Sequence, residues 1–160
     1  MKTLVKKISS PAQTAKLARE LATKLATRAP GKEALVVALQ GELGAGKTTF
    51  TKSFLAALGV KESVTSPTFI LFRPYPLPPA TRPLVNSPSF SLAYHIDCYR
   101  LEDPKELLKL GLKEMLKNPK YIVLIEWAER VKKWLPKNII WISIKHGARK
   151  GSRIIKLTGL

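Results

Sequence analysis

The stretch Leu35-Val36-Val37-Ala38-Leu39-Gln40-Gly41-Glu42-Leu43-Gly44-Ala45-Gly46-Lys47-Thr48-Thr49-Phe50 decides how this chain is read. Leu35 to Leu39 is a continuous aliphatic and β-branched run, which predicts a strand buried on both faces of a parallel sheet. Gly41 to Thr48 follows directly and fits the spacing G-x-x-x-x-G-K-[ST] in full. Phe50, Phe54, Leu55 and Leu58 then recur at helical spacing, and Gly59 is placed to stop that helix. The order is strand, glycine loop, helix.

Each residue type in the loop has its own chemical use. Glycines permit positive φ and close backbone approach, so consecutive amides from Glu42, Leu43, Gly44, Ala45 and Gly46 form a concave anion site. The helix that starts there adds its positive end. Lys47 brings a point charge to the β and γ phosphates, the Thr48 hydroxyl is a hard oxygen ligand suited to Mg2+, and Thr49 is placed for the α phosphate. Ordinary residue frequencies would produce the pattern in roughly one chain in two hundred of this length, so nucleoside triphosphate binding is the expectation.

The composition agrees with a folded protein around that motif. The chain has 160 residues, 45% hydrophobic and 24% charged, which excludes disordered, collagen-like and disulfide-rich classes and predicts one domain over 1–160. Twenty-eight Lys and Arg against eleven Asp and Glu give a net charge of +17, which makes polyanions natural partners of the surface. A single cysteine, Cys98, excludes an internal disulfide and Cys-rich zinc patterns, and it is expected to be a small buried hydrophobe. The longest aliphatic run, Ala34 to Leu39, is far too short for a bilayer, and the basic N-terminus leads into no apolar segment. Together these predict a soluble cytoplasmic protein.

Ser10, Pro11 and Gln13 predict a helix start, with Pro30 and Gly31 ending it. A strand is expected at Phe69 to Phe72. From Arg73 to Phe90 the chain carries six of its twelve prolines, and no regular element is expected in what reads as a surface insertion. Leu92 to Asp97 reads as a strand, Pro104 to Leu110 and Leu112 to Leu116 as short helices broken by Gly111, and Tyr121 to Ile125 as a second buried strand ending in Glu126. Ile139 to Ile144 and Arg153 to Leu157 predict a terminal hairpin.

A P-loop enzyme needs a carboxylate at the end of a neighbouring strand to serve the metal shell or the attacking water. Glu126 and Asp97 both stand at such ends. His95 and Asp97 share a strand face and are expected to pair. Ser66-Pro67-Thr68 places a hydroxyl on the loop leaving the glycine-loop helix, where it can reach a metal or the γ phosphate.

The segments Gly41 to Thr49, Ser66-Pro67-Thr68-Phe69, His95-Ile96-Asp97-Cys98-Tyr99-Arg100-Leu101 and Glu126-Trp127-Ala128-Glu129 together resemble the bacterial TsaE (YjeE) family. These are P-loop ATPases of tRNA threonylcarbamoyladenosine biosynthesis. The resemblance runs over nearly the whole chain. It implies an α/β P-loop NTPase fold with a central, mostly parallel sheet flanked by antiparallel strands and helices. It also implies Mg2+-dependent ATP hydrolysis and work with TsaB and TsaD on the adenosine beside the anticodon of tRNA. Carried over, Lys47 and Thr48 bind phosphate and Mg2+, Thr68 belongs to a first switch-like segment and Asp97 to a second. Glu126 is the metal-associated acid, with Trp127 beside it at the site. This chain departs from the family in its proline-rich insertion and its basicity, and tRNA contact through the basic surface is one reading of the latter.

A small-molecule kinase and a non-catalytic, nucleotide-gated binding module are the competing readings. A GTPase is disfavoured because no N-K-x-D motif occurs. Asp97, Glu126 and a positioned water stand as three candidates for activating the attacking water.

Overall fold

A computed structural model describes residues 3–28, 31–79 and 90–160. Seven strands form one sheet: β1 (Thr3–Ile8), β2 (Leu35–Gln40), β3 (Phe72–Pro76), β4 (Leu92–Asp97), β5 (Tyr121–Glu126), β6 (Ile140–His146) and β7 (Arg153–Thr158). The helices are α1 (Pro11–Ala26), α2 (Lys47–Ala57), α3 (Lys105–Lys109) and α4 (Leu112–Lys117), with two short 3-10 turns after β5. The order across the sheet is β1-β7-β6-β2-β5-β4-β3. β6, β2, β5 and β4 are mutually parallel, whereas β7, β1 and β3 pair antiparallel at the flanks. The expected parallel centre with antiparallel edges is therefore what forms.

Alternation along the central strands sorts their side chains into two cores. Val37, Leu39, Ile122 and Leu124 pack with α1 and α2, through Leu21, Leu25, Phe50 and Phe54. Val36, Ala38, Val123 and Ile125 pack on the other face with Leu107, Leu112, Met115 and Leu116 of α3 and α4. The Ser10 hydroxyl accepts from Gln13 N and caps α1 as its sequence predicts. Gly111, with φ 91°, separates α3 from α4. Among the described residues no helix is long and apolar enough to cross a membrane.

Two expectations need correction, and one strand forms where none was expected. The strand expected at Phe69 to Phe72 lies further on, at Phe72–Pro76, inside the segment where no regular element was expected. β3 is the edge of the sheet, and its prolines stand opposite Tyr94 and Leu92, where an antiparallel ladder needs no N–H from them. Of the rest of the insertion, 77–79 and Phe90 form no regular element and 80–89 lies outside the described residues, as does Pro30 at the expected end of the first helix. β1 was not foreseen, because Thr3–Ile8 shows no buried alternation and only Ile8 is buried. Pairing with β7 makes it a strand.

Candidate functional site

The parallel register sets the carboxyl ends of three strands side by side: Leu39 of β2 pairs with Glu126 of β5, and Glu126 with Asp97 of β4. This is the end of a parallel sheet at which α/β proteins bind ligands. Gln40 leads straight into the glycine loop. Gly41 has φ 151°, and a side chain there would collide with the backbone oxygen of Ile144 on β6. Gly46 has φ 108° and begins α2. Among the described residues no side chain caps that helix, and no acid stands in its first turn, so its N-terminal amides are left to an anion.

Lys47 is only 5% exposed. Its Nζ donates to the carbonyl oxygens of Gly41 (2.7 Å) and Glu42 (2.9 Å), and lies 3.9 Å from the centre of the Trp127 ring. Burial pushes its pKa below the ordinary lysine value, against the opposing pull of Glu126, Glu129 and Asp97. The ammonium thus faces the cleft with a desolvation cost that a phosphate would relieve.

Glu126 is 1% exposed and fully engaged. One carboxylate oxygen, Oε2, accepts from Thr48 Oγ1 at 2.8 Å, and the other lies 2.7 Å from His95 Nε2. With Glu126 ionised, His95 must carry its proton on Nε2. The Nδ1 of His95 is buried without a hydrogen-bond partner among the described residues. The expected His95–Asp97 pair is therefore replaced by a His95–Glu126 pair across two strands. Asp97 serves a different loop: its Oδ2 accepts from the hydroxyls of Ser66 and Thr68 (2.7 Å for Thr68), and its Oδ1 accepts from Tyr99 N at 2.9 Å.

Trp127 has φ 56°, an uncommon conformation for a bulky residue, and its ring packs against Tyr99 at 5.1 Å between centroids. A cleft of about 180 Å³ joins these parts, lined by Leu43, Gly44, Gly46, Lys47, Thr48, Ser66, Thr68, Asp97, Tyr99, Glu126 and Trp127. That is below the usual size of a small-molecule pocket and suits a polyphosphate chain. Of the residues singled out from sequence, Glu42, Ala45 and Thr49 do not line it: Glu42 and Thr49 are exposed and Ala45 is buried behind the loop. Cys98 is buried, and desolvation pushes its thiol up to about 12.

Hard oxygen donors from Thr48 and Glu126, in hydrogen-bond contact beside a phosphate loop, are chemically suited to Mg2+. Among the described residues there is no cluster of three His, Cys, Asp or Glu, so a metal here would depend on substrate oxygens as well. Sequence reasoning missed Tyr99 as a lining residue of the cleft and the contact of Arg153 with the loop. Neither belongs to a local pattern, since each depends on segments brought together by the sheet.

A family model described as threonylcarbamoyl adenosine biosynthesis protein TsaE matches residues 8–155. The tRNA threonylcarbamoyladenosine biosynthesis protein TsaE of Bacillus subtilis is 40% identical over 119 residues, 74% of this chain and 66% of that protein. Its namesake from Haemophilus influenzae is 36% identical over 115 residues, covering 72% and 65%, so the match spans just under two thirds of these two relatives. The Rickettsia bellii protein of the same name is 38% identical over 111 residues, covering 69% and 68%. A crystal structure of Bacillus subtilis YdiB superimposes with a TM-score of 0.71 at 31% identity, over 98% of this chain and 84% of that one.

Proposed function

The chain belongs to the TsaE family, with its P-loop NTPase fold, and on that premise we propose that it hydrolyses ATP with Mg2+ in the biosynthesis of threonylcarbamoyladenosine in tRNA, acting with TsaB and TsaD. The observation that carries the reading is the joining of Thr48, Glu126 and Lys47 in one cleft at the strand ends.

The residues divide the work. On nucleotide binding, Lys47 exchanges its two carbonyl partners for the β and γ phosphate oxygens, while the uncapped amides of α2 receive the same charge. Thr48 and Glu126 would hold Mg2+, which would supply charge neutralisation at the phosphates. His95 keeps the Glu126 carboxylate oriented through Oε1. Asp97, which lines the same cleft and accepts from the Ser66 and Thr68 hydroxyls, is assigned the ordering of the attacking water. Trp127 and Tyr99 restrict bulk water on the open side.

A partner has a direct route to this machinery. Phe69 and Ile70, 82% and 61% exposed, follow immediately on Thr68, and Arg100 lies over the Phe69 ring at 4.5 Å. A protein that covers these side chains fixes the position of Thr68 against Asp97, and hydrolysis becomes dependent on assembly.

The test is genetic complementation. A bacterium depleted of its own TsaE, supplied with this chain, should regain threonylcarbamoyladenosine in its tRNA, measured by mass spectrometry of digested nucleosides. The Lys47→Ala chain should not restore it. Restoration by Lys47→Ala as fully as by wild type would separate the function from nucleotide chemistry and defeat the proposal.

A further inference from the structure

We propose that Arg153, the first residue of β7, is a positioning residue for the phosphate loop: its guanidinium fork holds two loop carbonyls and so sets the direction of the amides that meet the phosphates. The inference deepens the nucleotide-binding reading above and rests on it.

The contacts are specific to a fork. Arg153 Nε donates to Ala45 O at 2.9 Å and Nη2 to Gly44 O at 3.1 Å, while Nη1 donates to Ser152 O at 2.8 Å and anchors the group to its own hairpin. In a planar trans peptide the C=O and N–H point in opposite directions. Holding Ala45 O toward Arg153 therefore turns the Gly46 N–H, at the start of α2, away from Arg153. The Gly44–Ala45 peptide is fixed at both edges, because Ala45 N donates to Glu42 O at 3.2 Å.

The loop needs such a brace because Gly44 and Gly46 have φ of 72° and 108° with nothing within 4 Å of a side-chain position at either. Glycines there lose more freedom on ordering than any other residue, so external contacts must hold the loop in its anion-binding form. The hairpin β6–β7 supplies them along the loop. Ile144 abuts Gly41, His146 Nε2 lies 3.4 Å from Leu43 O, and Arg153 takes Gly44 and Ala45. Arg153 does not line the cleft itself, so it acts through the loop rather than on the phosphate. A lysine retains the charge but, as a point donor, cannot fix two carbonyls in defined directions.

The experiment uses the full chain and three variants: Arg153→Lys, Arg153→Met, and Ile154→Ser as a hairpin control on an exposed neighbour without loop contact. Affinity for ADP and for a non-hydrolysable ATP analogue is measured by calorimetry, and amide hydrogen exchange by NMR at Ala45, whose N–H is bonded to Glu42 O in the peptide that Arg153 holds. Arg153→Met should weaken binding about tenfold or more and Arg153→Lys by about threefold or more, each with faster Ala45 exchange, while Ile154→Ser stays at wild type. A folded Arg153→Lys chain with wild-type affinity, or with weakened affinity but unchanged Ala45 exchange, overturns the proposal. If Arg153→Met does not fold, Arg153→Lys decides by the same two readings. If the wild-type chain binds neither nucleotide, the functional reading fails instead, and the brace stands or falls on Ala45 exchange alone.

Discussion

Thr48 Oγ1, in the first turn of α2, donates a 2.8 Å hydrogen bond to Oε2 of Glu126, 78 positions away at the end of β5. This bond joins the phosphate loop to the neighbouring strand, and His95 holds the opposite oxygen of the same carboxylate. Glutamine at 126 keeps the shape and can still accept from His95 while its amide faces Thr48, whose hydroxyl can turn to accept. It loses the charge that serves the metal. Glu126→Gln should therefore lower turnover by about a hundredfold while nucleotide affinity changes by less than about threefold. Single-turnover hydrolysis and equilibrium binding measured side by side check this, and equal losses in both would assign Glu126 a binding role only.

Lys47 gives a pH signature. Its pKa in the free protein is lowered by burial, and phosphate beside Nζ favours the charged form. Affinity is full while the free protein's Lys47 is protonated, and it falls as the pH climbs through the depressed pKa toward the ordinary value. Binding should take up protons as the pH rises through the depressed Lys47 pKa toward the ordinary lysine value, seen by calorimetry in buffers of different ionisation enthalpy. Lys47→Ala should abolish that uptake and weaken binding by about tenfold or more. Identical uptake in the variant would place the titrating group elsewhere.

Stimulation by a partner should depend on the exposed pair beside Thr68. Phe69→Ser with Ile70→Ser removes apolar surface that the fold itself leaves uncovered, so stability and nucleotide affinity should stay within about twofold of wild type. The response of hydrolysis to TsaB and TsaD should be lost. Full stimulation of the double variant would place the partner's contact on another surface.

Cys98 is 1% exposed and its thiol is pushed up to about 12, chiefly by desolvation with Asp97 adding to it. It should not react with a thiol-specific disulfide reagent at neutral pH until the protein unfolds. Rapid reaction of the native chain would contradict its buried, structural role.

What the sequence made legible follows the range of the interactions concerned. Leu35 to Gly59 is a local pattern, and β2, the loop and α2 form where their periodicity and glycines put them. Glu126 and Asp97 were legible as strand ends, because a buried aliphatic run closed by an acid is a local signal. Their partners were not. Two-residue spacing favoured His95 with Asp97, but the parallel register brings Glu126 within reach of His95 and leaves Asp97 to Ser66 and Thr68. β3 was obscured by Pro74 and Pro76, which argue against a central strand and are tolerated only because β3 is an edge. Arg153 had no local signal at all, since its contact spans more than a hundred positions of chain.

The most direct test of the central claim is release of inorganic phosphate from ATP by the purified chain with Mg2+, alone and with TsaB and TsaD, using Lys47→Ala as the blank. Release should be slow from the chain alone, strongly stimulated by the pair, and absent in the variant under both conditions. Release that is equally fast in wild type and Lys47→Ala, or nucleotide that stays intact with both partners present, would contradict it.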